Sequence, residues 1–138
     1  MLHRPDPFDA RCPTRQVLDR IGDKWAVLIL ILLERETLRF NALRRRIDNI
    51  SQKMLSQTLK SLERDGLVAR RAFATVPVTV EYALTPLGRT LAVTVAGLTR
   101  WAEEHVAEIE AAQRRYDAAA GDGDGDGKAE AAPARAQR

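Results

Sequence analysis

The sequence predicts a mainly α-helical domain with one small β-hairpin. Before residue 66, apolar residues recur at helical spacing in several short stretches. The stretches 68–74 and 78–84 are instead rich in β-branched and aromatic residues, which favour strands. Thr85-Pro86 is a helix start signal that precedes a long amphipathic pattern. Helices, a hairpin and a long final helix are therefore expected in that order.

The first two predicted helices are short. Thr14 is a candidate cap for a helix that carries Val17 and Leu18 and ends at Gly22. Residues 25–33 are apolar on all sides, so the second helix should lie at the centre of the core.

A helix-turn-helix is predicted next. An extended link at 37–39 leads to a third helix at 40–47, whose apolar residues have helical spacing. Ser51 is a good N-cap for a fourth helix that runs to about Asp65, and Gly66 suits the position that follows its end.

The predicted hairpin turns near Val76 and Pro77, and the last helix runs to about Tyr116. Thr85 should cap that helix, and Pro86 should occupy its first turn. This order of elements is that of a winged helix-turn-helix with additional N-terminal and C-terminal helices, in which the hairpin is the wing.

One domain is expected from 138 residues. Its folding unit should span residues 12–116, behind a flexible N-terminal arm at 1–11. The segment 117–138 is rich in Gly, Asp and Ala and is predicted to be a disordered tail.

The composition disfavours several classes of protein. One cysteine and two distant histidines argue against a disulfide framework and a metal site, and no metal or other cofactor is expected. No catalytic motif is present, so an enzyme is not expected. The longest apolar run, 25–33, is too short to span a membrane and no signal peptide is visible. A cytoplasmic protein without a membrane partner is predicted.

Positive charge is concentrated in the helix-turn-helix and the hairpin. The chain carries a net charge of +3. Residues 35–71 alone carry +6, so the remainder sums to −3. A basic segment of this kind is typical of a surface that binds a polyanion. The alternative is an ordinary solvated surface.

The fourth predicted helix is the candidate recognition element. Leu55, Leu59 and Leu62 should anchor one face in the core, which leaves long polar side chains outside. Glutamine can pair with adenine, and lysine can donate to guanine or phosphate. The candidate DNA-binding residues of this helix, its neighbour and the wing are Arg39, Arg44, Arg45, Ser51, Gln52, Lys53, Ser56, Gln57, Lys60, Arg64, Arg70 and Arg71.

The last predicted helix has more apolar positions than a small domain can bury. A homodimer through this helix is therefore expected. The candidate interface residues, with one from the first helix, are Val17, Leu91, Leu98, Trp101, His105 and Ile109.

Cys12 is the single candidate reactive group. It precedes the first helix, with Arg11 and Arg15 nearby, and a helix N-terminus and cations both lower a thiol pKa. One interpretation is a sensor of oxidants or electrophiles. The other is a small packing residue.

Three segments, 12–30, 39–70 and 76–88, closely resemble HxlR-type winged helix-turn-helix transcriptional regulators, relatives of the MarR group. The shared motifs are IGDKW, RFNAL, ISQKML, LERDGLV and VEYALT. The sequence has Asp23 where the family usually has glycine, and Val78 where it usually has a second proline in the wing tip.

The resemblance implies a homodimeric cytoplasmic regulator that binds a palindromic operator and associates with the nucleoid through DNA. It also implies that residues 51–64 form the recognition helix and that Cys12 matches a cysteine used by some members as a redox or electrophile switch. A repressor is expected, with a small-molecule or electrophile effector. The competing hypothesis is a winged-helix module that docks an acidic protein partner.

Overall fold

The computed structural model describes residues 6–122. Its helices and strands, in chain order, are α1 (Pro13–Ile21), α2 (Lys24–Arg35), β1 (Leu38–Arg39), α3 (Phe40–Arg46), α4 (Gln52–Arg64), β2 (Val68–Phe73), β3 (Thr79–Leu84) and α5 (Pro86–Asp122). Residues up to Leu98 belong to one compact unit, and the part of α5 from Thr99 onward belongs to a second. The predicted fold class, mainly helical with a small antiparallel wing, is confirmed.

The first unit is built around α2. Ala26, Ile29 and Leu30 have no exposed surface and lie in one apolar cluster with residues of α3, α4, the sheet and α5. The prediction of a central second helix is therefore confirmed. By contrast, α1 buries none of its own residues.

The N-caps of α1 and α2 are residues that the sequence analysis did not name as caps. The N-cap of α1 is Cys12 and not Thr14, because Pro13 already occupies the first turn of the helix. The N-cap of α2 is Asp23, whose carboxylate accepts a 2.9 Å hydrogen bond from the Trp25 backbone N–H. The aspartate at residue 23 thus supplies a helix cap.

The three strands form an antiparallel sheet in the order β1-β3-β2. Its inner face carries Leu38, Tyr82 and Leu84, which are buried in the core. The two long strands are close to those predicted, and the extended link at 37–39 pairs with β3 as a third strand.

The two ends of the predicted domain differ from expectation. Within the predicted arm, residues 6–11 form hydrogen-bonded turns, in which Asp6 and Asp9 accept bonds from backbone N–H groups. At the other end α5 continues past Tyr116 to Asp122, because the alanines that follow Tyr116 favour helix. The remaining arm and tail residues, 1–5 and 123–138, lie outside the described residues.

Candidate nucleic-acid interface

Helix α4 has one face in the core and one in solvent. Leu55, Leu59 and Leu62 are buried, as predicted, and Thr58 beside them is buried as well. The Ser51 hydroxyl accepts a 3.0 Å hydrogen bond from the Met54 backbone N–H, which confirms the predicted N-cap. The cap and the buried stripe together fix which side chains face outward.

The outward face of α4 carries most of the candidate base-reading groups. The exposed members are Gln52, Lys53, Gln57, Lys60 and Arg64, whereas Ser56 is half-buried. None of the exposed lysines and arginines of this face forms an ion pair within residues 6–122. Their charges are therefore available to an anionic ligand.

The supporting helix α3 adds cations beside α4 in the sequence. Arg44 and Arg45 are exposed and, with Asn41, line a shallow open depression. Arg46 instead donates to the Glu36 carboxylate at 3.4 Å. Two of the three consecutive arginines are thus free of intramolecular ion pairs within the described part of the chain.

The wing separates its two arginines, because successive side chains of a strand point to opposite faces. Arg71 lies opposite Glu81, and Arg70 lies opposite Tyr82. Arg39 also lies opposite Glu81, on the far side of β3, and its Nε is 4.0 Å from a Glu81 carboxylate oxygen. Glu81 was missed by the sequence interpretation, because only the strand register places it between two arginines.

The wing tip is apolar and hydrogen-bonded within itself. Val76 is fully exposed and Val78 is 67% exposed. The Thr75 hydroxyl lies 2.7 Å from the Pro77 carbonyl oxygen and 3.0 Å from the Thr79 hydroxyl. This network stabilises the turn that contains Val78.

Cys12 is buried beneath the turns of residues 6–11. Its side chain is among the buried core residues, with 2% of its surface exposed, and its Sγ accepts a 3.3 Å hydrogen bond from the Asp6 backbone N–H. The Arg15 guanidinium donates to the carbonyl oxygens of Pro7 and Phe8 at 3.4 and 3.5 Å. Arg15 therefore ties these turns to α1, three residues after Cys12 in the sequence.

The pKa of Cys12 is lower than the ordinary value of 9.0. The Asp6 backbone N–H contributes most to the lowering of the pKa, burial opposes it, and the backbone N–H groups of Arg15 and Thr14 add to it. The expected contribution of the helix start is thus correct. Contrary to expectation, no cationic side chain is among the groups that lower the pKa of Cys12; the Arg11 guanidinium pairs with Asp9, and the Arg15 guanidinium donates to backbone carbonyls.

The candidate dimer residues differ in exposure. In the first unit Val17 and Leu98 are 54% and 55% exposed, whereas Leu91 is half-buried against the core. In the second unit Trp101 and Ile109 are exposed, and the half-buried His105 ring stacks on the Trp101 ring with 4.6 Å between centroids. Leu91 is thus partly buried in the core of its own chain, so only part of its side chain is left for a dimer interface.

Two kinds of feature are absent from the described residues. No group of three or more potential metal ligands occurs within 6–122. Among the same residues, no helix combines the length and apolar character needed to cross a bilayer.

Comparison with known proteins identifies the family of this architecture. A family model described as HxlR-like helix-turn-helix matches residues 20–110, which contain the whole helix-turn-helix and wing. The chain belongs to the HxlR-like helix-turn-helix family. It is 46% identical over 102 residues to YtfH of Escherichia coli, a protein described as an uncharacterized HTH-type transcriptional regulator, and the match covers 74% of this chain and 81% of the relative.

Solved structures of HxlR-like relatives show the same fold. A YtfH structure from Salmonella typhimurium has a TM-score of 0.76 at 40% identity, and the match covers 80% of this chain and 99% of that one. The reduced form of the redox regulator HypR has a TM-score of 0.67 at 38% identity, and the match covers 72% and 98% of the two chains. The expected family resemblance is confirmed.

Proposed function

We propose that this chain is a sequence-specific DNA-binding transcriptional regulator that acts as a homodimer and represses transcription from a palindromic operator. Each α4 enters one major groove, where Gln52, Lys53, Ser56 and Gln57 read bases and the arginines of α3 and the wing bind phosphates. The capped helix with unpaired cations on its exposed face is the observation that carries this proposal. The family and its named regulators support it and give no support to an enzymatic role.

Two substitutions on α4 separate base reading from phosphate binding. Lys60→Ala should weaken binding to every duplex and reduce the slope of log affinity against log salt by about 1, because one phosphate contact is lost. Gln57→Ala should instead relax the preference at one base pair by about 1–3 kcal/mol, because a bidentate contact is lost.

Both variants are measured by fluorescence anisotropy on a duplex that the wild-type protein selects from a random pool, and on random-sequence DNA. Glu110→Ala, an exposed substitution in the second unit, is the control and should change neither affinity by more than about twofold. Equal wild-type affinity for selected and random duplexes would overturn the proposal. It would favour a module that docks an acidic protein.

We further propose that Cys12 makes DNA binding responsive to oxidants or electrophiles. Its lowered pKa and its position at the start of α1 support this, as do the related HypR structures, described as a redox regulator in reduced and oxidized forms. Diamide should release the protein from DNA and give a disulfide-linked dimer on a non-reducing gel, because each chain has one cysteine. An identical release of Cys12→Ser protein by diamide would contradict the role of this thiol.

A further inference from the structure

The C-terminal end of α4 is tied to α1 by an ion pair. Arg20 in the last turn of α1 donates from Nε to the Asp65 carboxylate at 2.6 Å, and Asp65 is the C-cap of α4. The two side chains are 27% and 28% exposed, so solvent screens the pair less than a fully exposed one. A charge-assisted bond of this length is among the stronger polar contacts in a protein.

The same end of α4 is tied to α5 on another side. The Thr85 hydroxyl donates to the Gly66 carbonyl oxygen at 2.6 Å, and the Thr85 backbone N–H donates to the Leu67 carbonyl oxygen at 3.1 Å. Gly88 lies so close to the Leu67 backbone that a Cβ there would be 2.0 Å from the Leu67 carbonyl oxygen. The segment that ends α4 is thus held by both helices that carry candidate dimer residues.

The other ion pairs of the described residues do not reach this helix. Arg11 binds Asp9, Arg39 approaches Glu81, Arg46 binds Glu36 and His105 approaches Glu108. Within residues 6–122, the Arg20–Asp65 pair is therefore the ionic contact that ends on α4 or its caps.

We propose that Arg20 is a positioning residue for DNA reading: through Asp65 it fixes α4 relative to α1, and so sets sequence selectivity. This inference rests on the proposed function of α4. Base contacts need side chains placed within about 0.5 Å, whereas the sequence-independent attraction to phosphates depends mainly on the number of positive charges. A looser α4 should therefore lose selectivity before it loses affinity for DNA in general.

Two substitutions that change the net charge of the protein in opposite directions test the proposal. Arg20→Gln and Asp65→Asn each break the pair, but the first lowers and the second raises the net charge. Both should reduce the ratio of affinities for selected and random duplexes by about tenfold. Affinity for random DNA should fall slightly for Arg20→Gln and rise slightly for Asp65→Asn. Arg20→Lys keeps the charge and should retain most of the ratio.

Matched controls are available on α2 and its end. Arg35→Gln makes the same change at an exposed arginine in the last turn of a helix, and Glu36→Gln breaks the more exposed pair with Arg46. Both should leave the affinity ratio within about twofold of wild type. Circular dichroism at the assay temperature establishes that each variant is folded. If Arg20→Gln does not fold, Asp65→Asn carries the test. The backbone N–H of residue 65 makes the C-cap contacts of α4, and this substitution does not remove it.

Different experimental results would overturn the positioning role of Arg20 and the proposed function of α4. A wild-type protein that selects no sequence from the random pool would overturn the function of α4. A wild-type protein that selects a duplex, with folded Arg20→Gln or Asp65→Asn protein that keeps the full affinity ratio, would overturn the positioning role alone. A variant with a lower melting temperature and an unchanged affinity ratio would also overturn the positioning role, since an ion pair with a purely structural role predicts this result.

Discussion

Gly88 is a residue under a tight steric constraint. It is buried at the start of α5, and a Cβ would be 2.0 Å from the Leu67 carbonyl oxygen and 3.0 Å from the carbonyl carbon. Both atoms belong to the backbone, so they cannot move aside as a flexible side chain does. The sequence alone does not single out this glycine, because its steric constraint is visible only in the packing.

We expect Gly88→Ala to lower the free energy of unfolding by about 3 kcal/mol, since the start of α5 must separate from Leu67. Urea denaturation followed by circular dichroism measures the change. Gly22→Ala is the matched control, because a Cβ there would meet its nearest atom at 3.5 Å and its φ of −76° suits alanine. The steric explanation is wrong if the two variants are equally stable.

At the scale of single elements, local signals in the sequence were reliable where a helix end depends on its own residues. Ser51 and Gly66 were predicted as the two ends of α4, and Gly66 has the positive φ of 77° that favours glycine there. Thr14 failed as a cap because Pro13 starts the helix earlier. The contacts of Arg20 and Glu81 could not be predicted, since each depends on a partner brought close by tertiary folding or strand pairing.

Ser51 gives a prediction at this scale. Ser51→Ala should lower the free energy of unfolding by about 1 kcal/mol, because the Met54 backbone N–H loses its acceptor. Ser51→Asp keeps an acceptor and places a negative charge at a helix N-terminus, so it should stay close to wild type. Thermal unfolding of the three proteins checks this. Equal destabilisation by both substitutions would show that the cap is not the cause.

At the scale of the whole molecule, two surfaces predict two different properties. The basic segment predicts DNA binding, and the apolar residues of α5 predict dimerisation. The DNA-facing candidates were identified from charge and helical spacing, and all but the half-buried Ser56 are exposed. The dimer candidates were predicted from an excess of apolar positions, which is a weaker signal, because the core of the same chain can bury some of them. Leu91 illustrates this, since it packs partly in that core, whereas Leu98 and Trp101 remain exposed.

The dimer is therefore best tested at Leu98 and Trp101. We expect Leu98→Glu with Trp101→Glu to convert the protein to monomers in sedimentation velocity, because burying two carboxylates in an apolar interface is costly. The monomer should also bind a two-half-site duplex at least about tenfold more weakly, since linked half-sites raise the effective concentration. Val76→Glu with Val78→Glu places the same charges on the exposed wing tip and should leave the protein dimeric. Wild-type protein that sediments as a monomer at micromolar concentration would refute the dimer, and unchanged association of the α5 variant would place the interface elsewhere.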